Sequence, residues 1–261
     1  MNDIDRSVRA RADDSPAAAA TAWLSAFESA LSARDKKALS ALFVPDSHWR
    51  DILAFTWSIT PTVGRDDIVA RLADRQSATG ATGFRLASNR TPPRRVKRLG
   101  ADVIEALYEF ETPIGRGNGV VRLVAESGPL GVSATTLLST LNEIKGHEEK
   151  IGARRPTGAA YSRNFGGENW ADMRRRQSAF ADREPAVLVV GAGQAGLAVA
   201  ARLNQLDVDT LVVEKWDRIG DNWRKRYHSL ALHNAIHVNN LPYMPFPPTW
   251  PKYIPKDMLG D

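Results

Sequence analysis

The stretch AVLVVGAGQAGLAVAARLNQLDVDTLVVE, residues 186–214, decides the fold of the C-terminal part. Ala186 to Val190 is an uninterrupted apolar run, as a parallel strand buried on both faces requires. Gly191-Ala192-Gly193-Gln194-Ala195-Gly196 follows without a gap, and Ala195, Val199, Leu203 and Leu206 then recur on one helical face. Thr210 to Val213 supplies a second strand that runs into Glu214, 23 residues beyond Gly191. Strand, glycine turn, helix, strand and acid stand in the order of a dinucleotide-binding βαβ unit.

Each position has a physical reason. Gly191 permits a tight turn, Gly193 lets backbone approach a pyrophosphate, and Gly196 lets helix and strand pack closely, while Gln194 and Ala195 open the helix whose free N–H groups face the anion. Glu214 suits the two hydroxyls of an adenosine ribose and repels a 2′-phosphate, which favours FAD or NAD over NADP.

The residues after Glu214 separate these two. EKWDRIGDNWRKRYHSLALHN (214–234) resembles the E-x5-G-G-x-W segment of flavin-containing monooxygenases, and LPYMPFPPTWPKYIPKDML (241–259) resembles the L-P-x-M-P-F-P stretch of their bacterial and YUCCA-type plant members. The resemblance implies that Gly191, Gly193 and Gly196 meet the FAD pyrophosphate and Glu214 the ribose. It implies that Gly220, Asn222, Trp223 and Arg224 form a loop closing over the adenosine and diphosphate side. Asp221 stands where the family has a second glycine, which puts the conformation of that loop in question. The complete family enzyme reduces FAD with NADPH and places one oxygen atom of O2 on a small-molecule substrate, a soft nucleophile or a carbonyl. Its second glycine motif, for NADPH, does not occur before Asp261. The expectation is therefore a partial Rossmann-type domain over 185–261, poorly stable unless another surface covers its sheet, in a chain that does not turn over substrate alone. No catalytic residue is named, because the chemistry belongs to the cofactor and to the missing segment.

Upstream, residues 146–184 are rich in glycine and arginine and read as a linker. Asn169 can cap a short helix there, with Trp170, Met173 and Phe180 on a stripe docked against a neighbour and Arg174 to Arg176 in water. Before it, Ser15-Pro16 opens a helix to about residue 33 with Trp23, Phe27 and Leu31 on its buried face. Asp35 caps a second helix through Phe43, and Gly64 to Asp67 open a third in which Ile68, Leu72 and Arg75 mark one side. The N-terminal third thus reads as mainly helical. Residues 103–112, 118–127 and 133–144 read as antiparallel strands. Helices followed by a curved meander make an α+β cone with a pocket, and the layout over 16–145 resembles the SnoaL-like, nuclear-transport-factor-like superfamily, implying a homodimer through this domain. Residues 1–15 are polar and read as a disordered N-terminus.

Weaker signals have bland readings. His48, Trp49, Asp51 and Trp57 fall where the cone's pocket lining is expected, either as an acid–base pair or as polar groups satisfied by packing. RTPPRRVKR (90–98) reads as a solvated loop, since no aromatic platform accompanies it and no nucleic-acid partner is implied. His228, His233 and His237 lack matching acidic ligands, so no metal site is assigned.

The 261 residues are 43% hydrophobic and 25% charged, with 35 Lys+Arg against 30 Asp+Glu, a globular composition with a net charge of only +5. There are no cysteines, which excludes disulfides, thiolate nucleophiles and iron–sulfur ligation. With no 18-residue apolar run, the expectation is a cytoplasmic protein with no membrane partner. The leading reading is an FAD- and NADPH-dependent monooxygenase-like oxidoreductase. Two others stay open: a SnoaL-like binding or dimerisation module carrying a vestigial flavin stub, and an NAD-dependent reductase.

Overall fold

The computed structural model describes residues 15–126, 130–157 and 166–261, and the chain divides into two compact units at His147/Glu148. Of the N-terminus expected to be disordered, 1–14 lie outside the described residues, as does Ser127 at the end of one expected strand. Among the described residues no helix is long and apolar enough to cross a membrane.

In the first unit, α1 (Pro16–Ala33) begins where Ser15 Oγ accepts from Ala18 N at 3.0 Å, and Trp23, Phe27 and Leu31 are all buried. α2 (Lys36–Ser40), capped by Asp35, is shorter than expected, because Phe43–Ile52 forms strand β1. Pro45 cannot donate to a helix, and Phe43, Ser47, Trp49 and Asp51 are buried with the alternation of a strand. β2 (Thr62–Val63), α3 (Arg65–Thr79) and β3 (Thr82–Leu86) follow, so this mainly helical third also carries strands that the sequence reading did not place. In α3, Ile68 and Leu72 are buried, but Arg75 is exposed. Gln76 completes the inner side instead, its amide bonded both ways to the Ala81 backbone at 2.9 and 3.3 Å.

β4 (Arg94–Arg98), β5 (Ala101–Glu111), β6 (Gly115–Ala125) and β7 (Val132–Ile144) complete a sheet in the order β2-β1-β7-β6-β5-β3, with β4 also on β5. Within this sheet, among the described residues, only the β1–β7 pairing is parallel. The expected loop at 90–98 is thus partly an edge strand. Its arginines are not simply solvated: Glu105 accepts from Arg94 at 3.1 Å, from Arg98 at 2.8 and 2.9 Å and from Arg122 at 3.0 Å. These bonds, Arg98 first, hold the Glu105 carboxyl down at about 2 against its ordinary 4.5.

Aromatic rings fill the interior between helices and sheet. Trp23 stacks on Phe27 at 5.0 Å, Phe27 meets Phe84 edge-on at 5.2 Å, and Phe84 stacks on Phe110 at 5.0 Å. The rings of Phe110 and Tyr108 lie over Gly117 and Gly119 of the next strand, where any Cβ would come within 2.3 and 2.4 Å of ring carbons. Tyr108 thereby reaches across β6 and donates to Leu138 O at 2.7 Å.

In the second unit, α4 (Trp170–Ala179) has a capping box between Asn169 and Asp172, and Arg174 to Arg176 are exposed as expected. Trp170 is exposed too, contrary to the docked stripe. β8 (Val187–Val190) pairs in parallel with β9 (Thr210–Val213), with α5 (Gln194–Gln205) between them in sequence. The expectation that β8 is buried on both faces fails, with Leu188 56% and Val190 81% exposed. A strand is buried by what packs on it, and this sheet has two strands among the described residues. Likewise Ala195, Val199 and Leu206 are exposed, while Gly196, Ala200 and Leu203 form the half-buried side of α5.

Residues 148–154, expected as linker, strap the end of α5. Lys150 N donates to Gln205 O at 3.0 Å, closing the helix C-terminus. Glu149 accepts from Arg202 at 2.7 Å and from the Tyr243 hydroxyl at 2.5 Å. Tyr243 has φ +62, in a turn closed by Met244 N to Leu241 O at 3.1 Å.

Glu105→Gln is expected to lower stability at pH 7 by about 1–3 kcal/mol, as loss of charge-assisted hydrogen bonds does. The folded pKa lies below the unfolded one, so this contribution is present above about pH 4.5 and disappears as the pH falls toward 2. Urea denaturation of both proteins across that window checks it, and a gap independent of pH would refute it.

Candidate functional site

The C-terminal ends of β8 and β9 and the first turn of α5 converge on one place. Gly191, at φ +100, turns the chain out of β8 while its N–H still donates to Val213 O at 2.7 Å. Few residues but glycine adopt that φ cheaply. Ala192 is buried, and its N–H points at Glu214 Oε2, 2.6 Å away. Gly193 is the N-cap of α5, with an ordinary φ of −72. Gln194 and Ala195 form the exposed start of the helix. At Gly196 a Cβ would stand 1.9 Å from Gly191 O, so this glycine is required for helix and turn to touch.

Gly193 is different. A Cβ there would meet nothing closer than Asn222 Nδ2 at 3.6 Å, and the backbone conformation suits any residue. Neither packing nor φ within the chain demands a glycine, and the space a Cβ would fill opens at the N-terminus of a helix. That is where a bound diphosphate comes closest in a βαβ nucleotide site, so the residues present fit such a group.

Glu214 leaves β9 with one oxygen accepting from Ala192 N and the other from Trp216 N at 3.1 Å. These backbone bonds, that of Ala192 foremost, hold its carboxyl below the ordinary range, so it is anionic at neutral pH. Glu214 lines an open groove of about 640 Å³ together with Val190, Gly191, Val213 and Asn222. Four residues that the sequence reading passed over share the groove: Lys215, Trp216, Lys225 and Arg226. Their signal was the basic and aromatic character of E-K-W and W-R-K-R, read there only as parts of family motifs. Three cations against one carboxylate give the groove a surplus positive charge, as an anionic ligand needs.

The loop after Glu214 divides. Gly220, at φ +90, abuts the chain so closely that a Cβ would lie 2.0 Å from Gly260 O. Asp221 opens the short helix α6 (Asp221–Arg224), so the positive φ falls on Gly220 alone and the aspartate in place of a second glycine meets no backbone conflict. Asn222 faces the groove. Trp223 and Arg224 are set back from it. Arg224 instead gathers the loop, donating to Ile219 O at 3.0 Å, to the Asp221 carboxylate at 3.0 Å, to that of Asp261 at 2.9 Å, and to Gly260 O. α7 (Lys256–Gly260) is held there.

The second candidate site does not assemble. His48 is exposed, on the opposite side of β1 from Trp49 and Asp51, and Trp57 is 89% exposed. Asp51 is consumed internally: it accepts from Phe55 N at 3.0 Å, Thr56 N at 2.8 Å, Thr56 Oγ1 at 3.2 Å and Ser139 Oγ at 2.5 Å. Among the described residues no three His, Cys, Asp or Glu come together as metal ligands.

Comparison with known proteins bears on each unit separately. Residues 189–241 match the family model of an NAD(P)-binding Rossmann-like domain. The C-terminal part is similar to a probable indole-3-pyruvate monooxygenase, YUCCA4, of Arabidopsis thaliana, 44% identical over 76 residues that make up 29% of this chain and 18% of the relative. It is also similar to an uncharacterized CzcO-like oxidoreductase of Geobacillus kaustophilus, 43% identical over 75 residues, 29% of this chain and 22% of that protein. The chain thus spans about a fifth of the length of these relatives. An NTF2-like protein with a cystatin-like fold from Novosphingobium aromaticivorans aligns with a TM-score of 0.38 and 16% identity over 54% of this chain and 90% of that one. ActVI-ORFA of Streptomyces coelicolor aligns with a TM-score of 0.34 and 15% identity over 46% of this chain and 92% of that one.

The two inner glycines are expected to respond differently to one methyl group. Gly196→Ala should lower the unfolding free energy of the second unit markedly, because its Cβ meets backbone, whereas Gly193→Ala should leave it within about 0.5 kcal/mol of the parent, as substitutions without clashes do. Denaturation followed by hydrogen exchange on β8 and β9 measures both, and equal losses would refute the assignment.

Proposed function

We propose that the second unit binds the ADP part of FAD, as the N-terminal portion of an FAD- and NADPH-dependent oxidoreductase of the monooxygenase type. The observation that carries this reading is Gly193, a glycine that neither φ nor packing among the described residues requires, placed at a helix N-terminus, next to the Ala192 N–H that bonds Glu214 and 3.6 Å, at its Cβ position, from Asn222 of the groove. In this reading Gly191, Gly193, Gln194, Ala195 and Gly196 present the turn and the helix N–H groups to the diphosphate. Glu214, fixed by its two backbone bonds, takes the ribose hydroxyls, and its charge disfavours a 2′-phosphate. Asn222 flanks the diphosphate, while Gly220, Trp223 and Arg224 hold the loop that carries it. FAD, once bound, supplies the redox chemistry, accepting electrons from NADPH and passing them to dioxygen. The chain's own contribution is to bind and orient it. The similarity of the C-terminal part to a YUCCA-type monooxygenase supports flavin over a free nicotinamide cofactor.

A second role belongs to the first unit. We propose that it serves as a pairing module for a homodimer, supported by the outward row Leu107, Val120 and Leu138, neighbours across β5, β6 and β7, which is apolar yet only half-buried. The buried Asp51 carboxylate of this unit is satisfied by hydrogen bonds from Phe55, Thr56 and Ser139, so no acid–base work is assigned to it.

Calorimetric titration of the full chain with FAD tests the main reading. Binding is expected, weakened at least tenfold by Gly193→Ala and by Glu214→Ala at unchanged far-UV circular dichroism. NADH binding without flavin would move the assignment to a reductase, and a dimer that binds neither would leave the pairing module as the working part.

A further inference from the structure

We propose that Trp216 is the platform on which the purine base of the bound nucleotide stacks, so that the groove selects adenine nucleotides through an aromatic face. This rests on the nucleotide reading above and adds to it the residue that reads the base.

Three observations converge on this indole. Its backbone N–H is one of the two donors that fix Glu214, so the ring leaves the chain directly beside the carboxylate assigned to the ribose. It is the one aromatic among the residues lining the groove. The residue also stays 37% exposed, so part of it is open to solvent even with lysines over the ring. The ring is held. The Lys225 ammonium lies 3.7 Å from its centroid and Lys215 lies 4.7 Å away, and Lys225 is itself tethered to Asp221 at 3.7 Å. Cation–π contacts of this kind fix the indole before a ligand arrives.

Nucleotide geometry supplies the rest. In a nucleoside diphosphate the 5′-phosphates and the base leave the ribose at opposite ends, with the two hydroxyls between. If the phosphates lie at Gly191 and Gly193 and the hydroxyls at Glu214, the base falls on the far side of Glu214. Trp216, whose backbone N–H bonds Glu214, lines the groove next to that carboxylate. A flat π system meets a flat base there, and a purine covers more of it than a pyrimidine.

The test uses ADP, which carries the base, ribose and diphosphate without a flavin ring. On the full chain, ADP is expected to bind more tightly than UDP. Trp216→Ala should weaken ADP about 10- to 100-fold, as loss of one base–aromatic stack does, and Trp216→Phe should restore most of it. ADP should quench part of the tryptophan fluorescence of the parent, and that part should vanish in Trp216→Phe. Binding of ADP that is lost in Gly193→Ala but indifferent to Trp216→Ala, or quenching that persists in Trp216→Phe, overturns the platform and leaves the nucleotide reading intact. Failure of the parent chain to bind ADP at millimolar concentration overturns both.

Discussion

Glu214 divides its carboxylate oxygens between Ala192 N at 2.6 Å and Trp216 N at 3.1 Å, and in doing so it ties together the ends of both strands of the second unit. The turn after β8 and the turn after β9 would otherwise be two independent loops on a narrow parallel ribbon. With the acid between them, the glycine turn after β8 is held to the end of β9, and Trp216 is drawn to the groove that Asn222 also lines. The same bonds keep the carboxyl anionic, so an interaction that builds the site also sets its charge.

The first unit spends its polar groups differently. Asp51 accepts four hydrogen bonds, and Ser139, which donates to it, also accepts from Trp49 Nε1 at 3.0 Å. This network pins the chain after β1 to β7 across 88 residues of sequence. A carboxylate so fully engaged has nothing left for proton transfer to a ligand, which is why an acidic residue in the heart of this fold is better understood as a fastening than as a general base.

The glycine turn was legible from sequence because its reasons are local: positive φ at Gly191, close packing at Gly196 and open space at Gly193 are properties of a few consecutive residues. The capped helices were legible on the same ground, Ser15, Asp35 and Asn169 each bonding within three residues. β1 was not, since its strand character comes from a parallel partner some 90 residues away, and Pro45 and the mixed polarity of 43–52 give no clean alternation in the bare sequence. The charge run at 94–98 concealed an edge strand, because what matters there is Glu105 on the adjacent strand. Burial of β8 and α5 was overestimated, since an apolar run records what a strand is suited to, and the surfaces that cover it lie outside the run itself. The groove wall was missed where Lys225 and Arg226 sit in a motif whose neighbours Trp223 and Arg224 turn away.

The strap formed by Glu149 and Lys150 bears on how this fold is to be divided in the laboratory. Composition places the start of the nucleotide unit near residue 185, but the Gln205 carbonyl that ends α5, the Arg202 guanidinium and the Tyr243 hydroxyl find partners at 149 and 150. A gene segment opening at 185 would encode a nucleotide fold whose last helical carbonyl, Arg202 guanidinium and Tyr243 hydroxyl have lost these partners. One opening at 148 carries its own fastening.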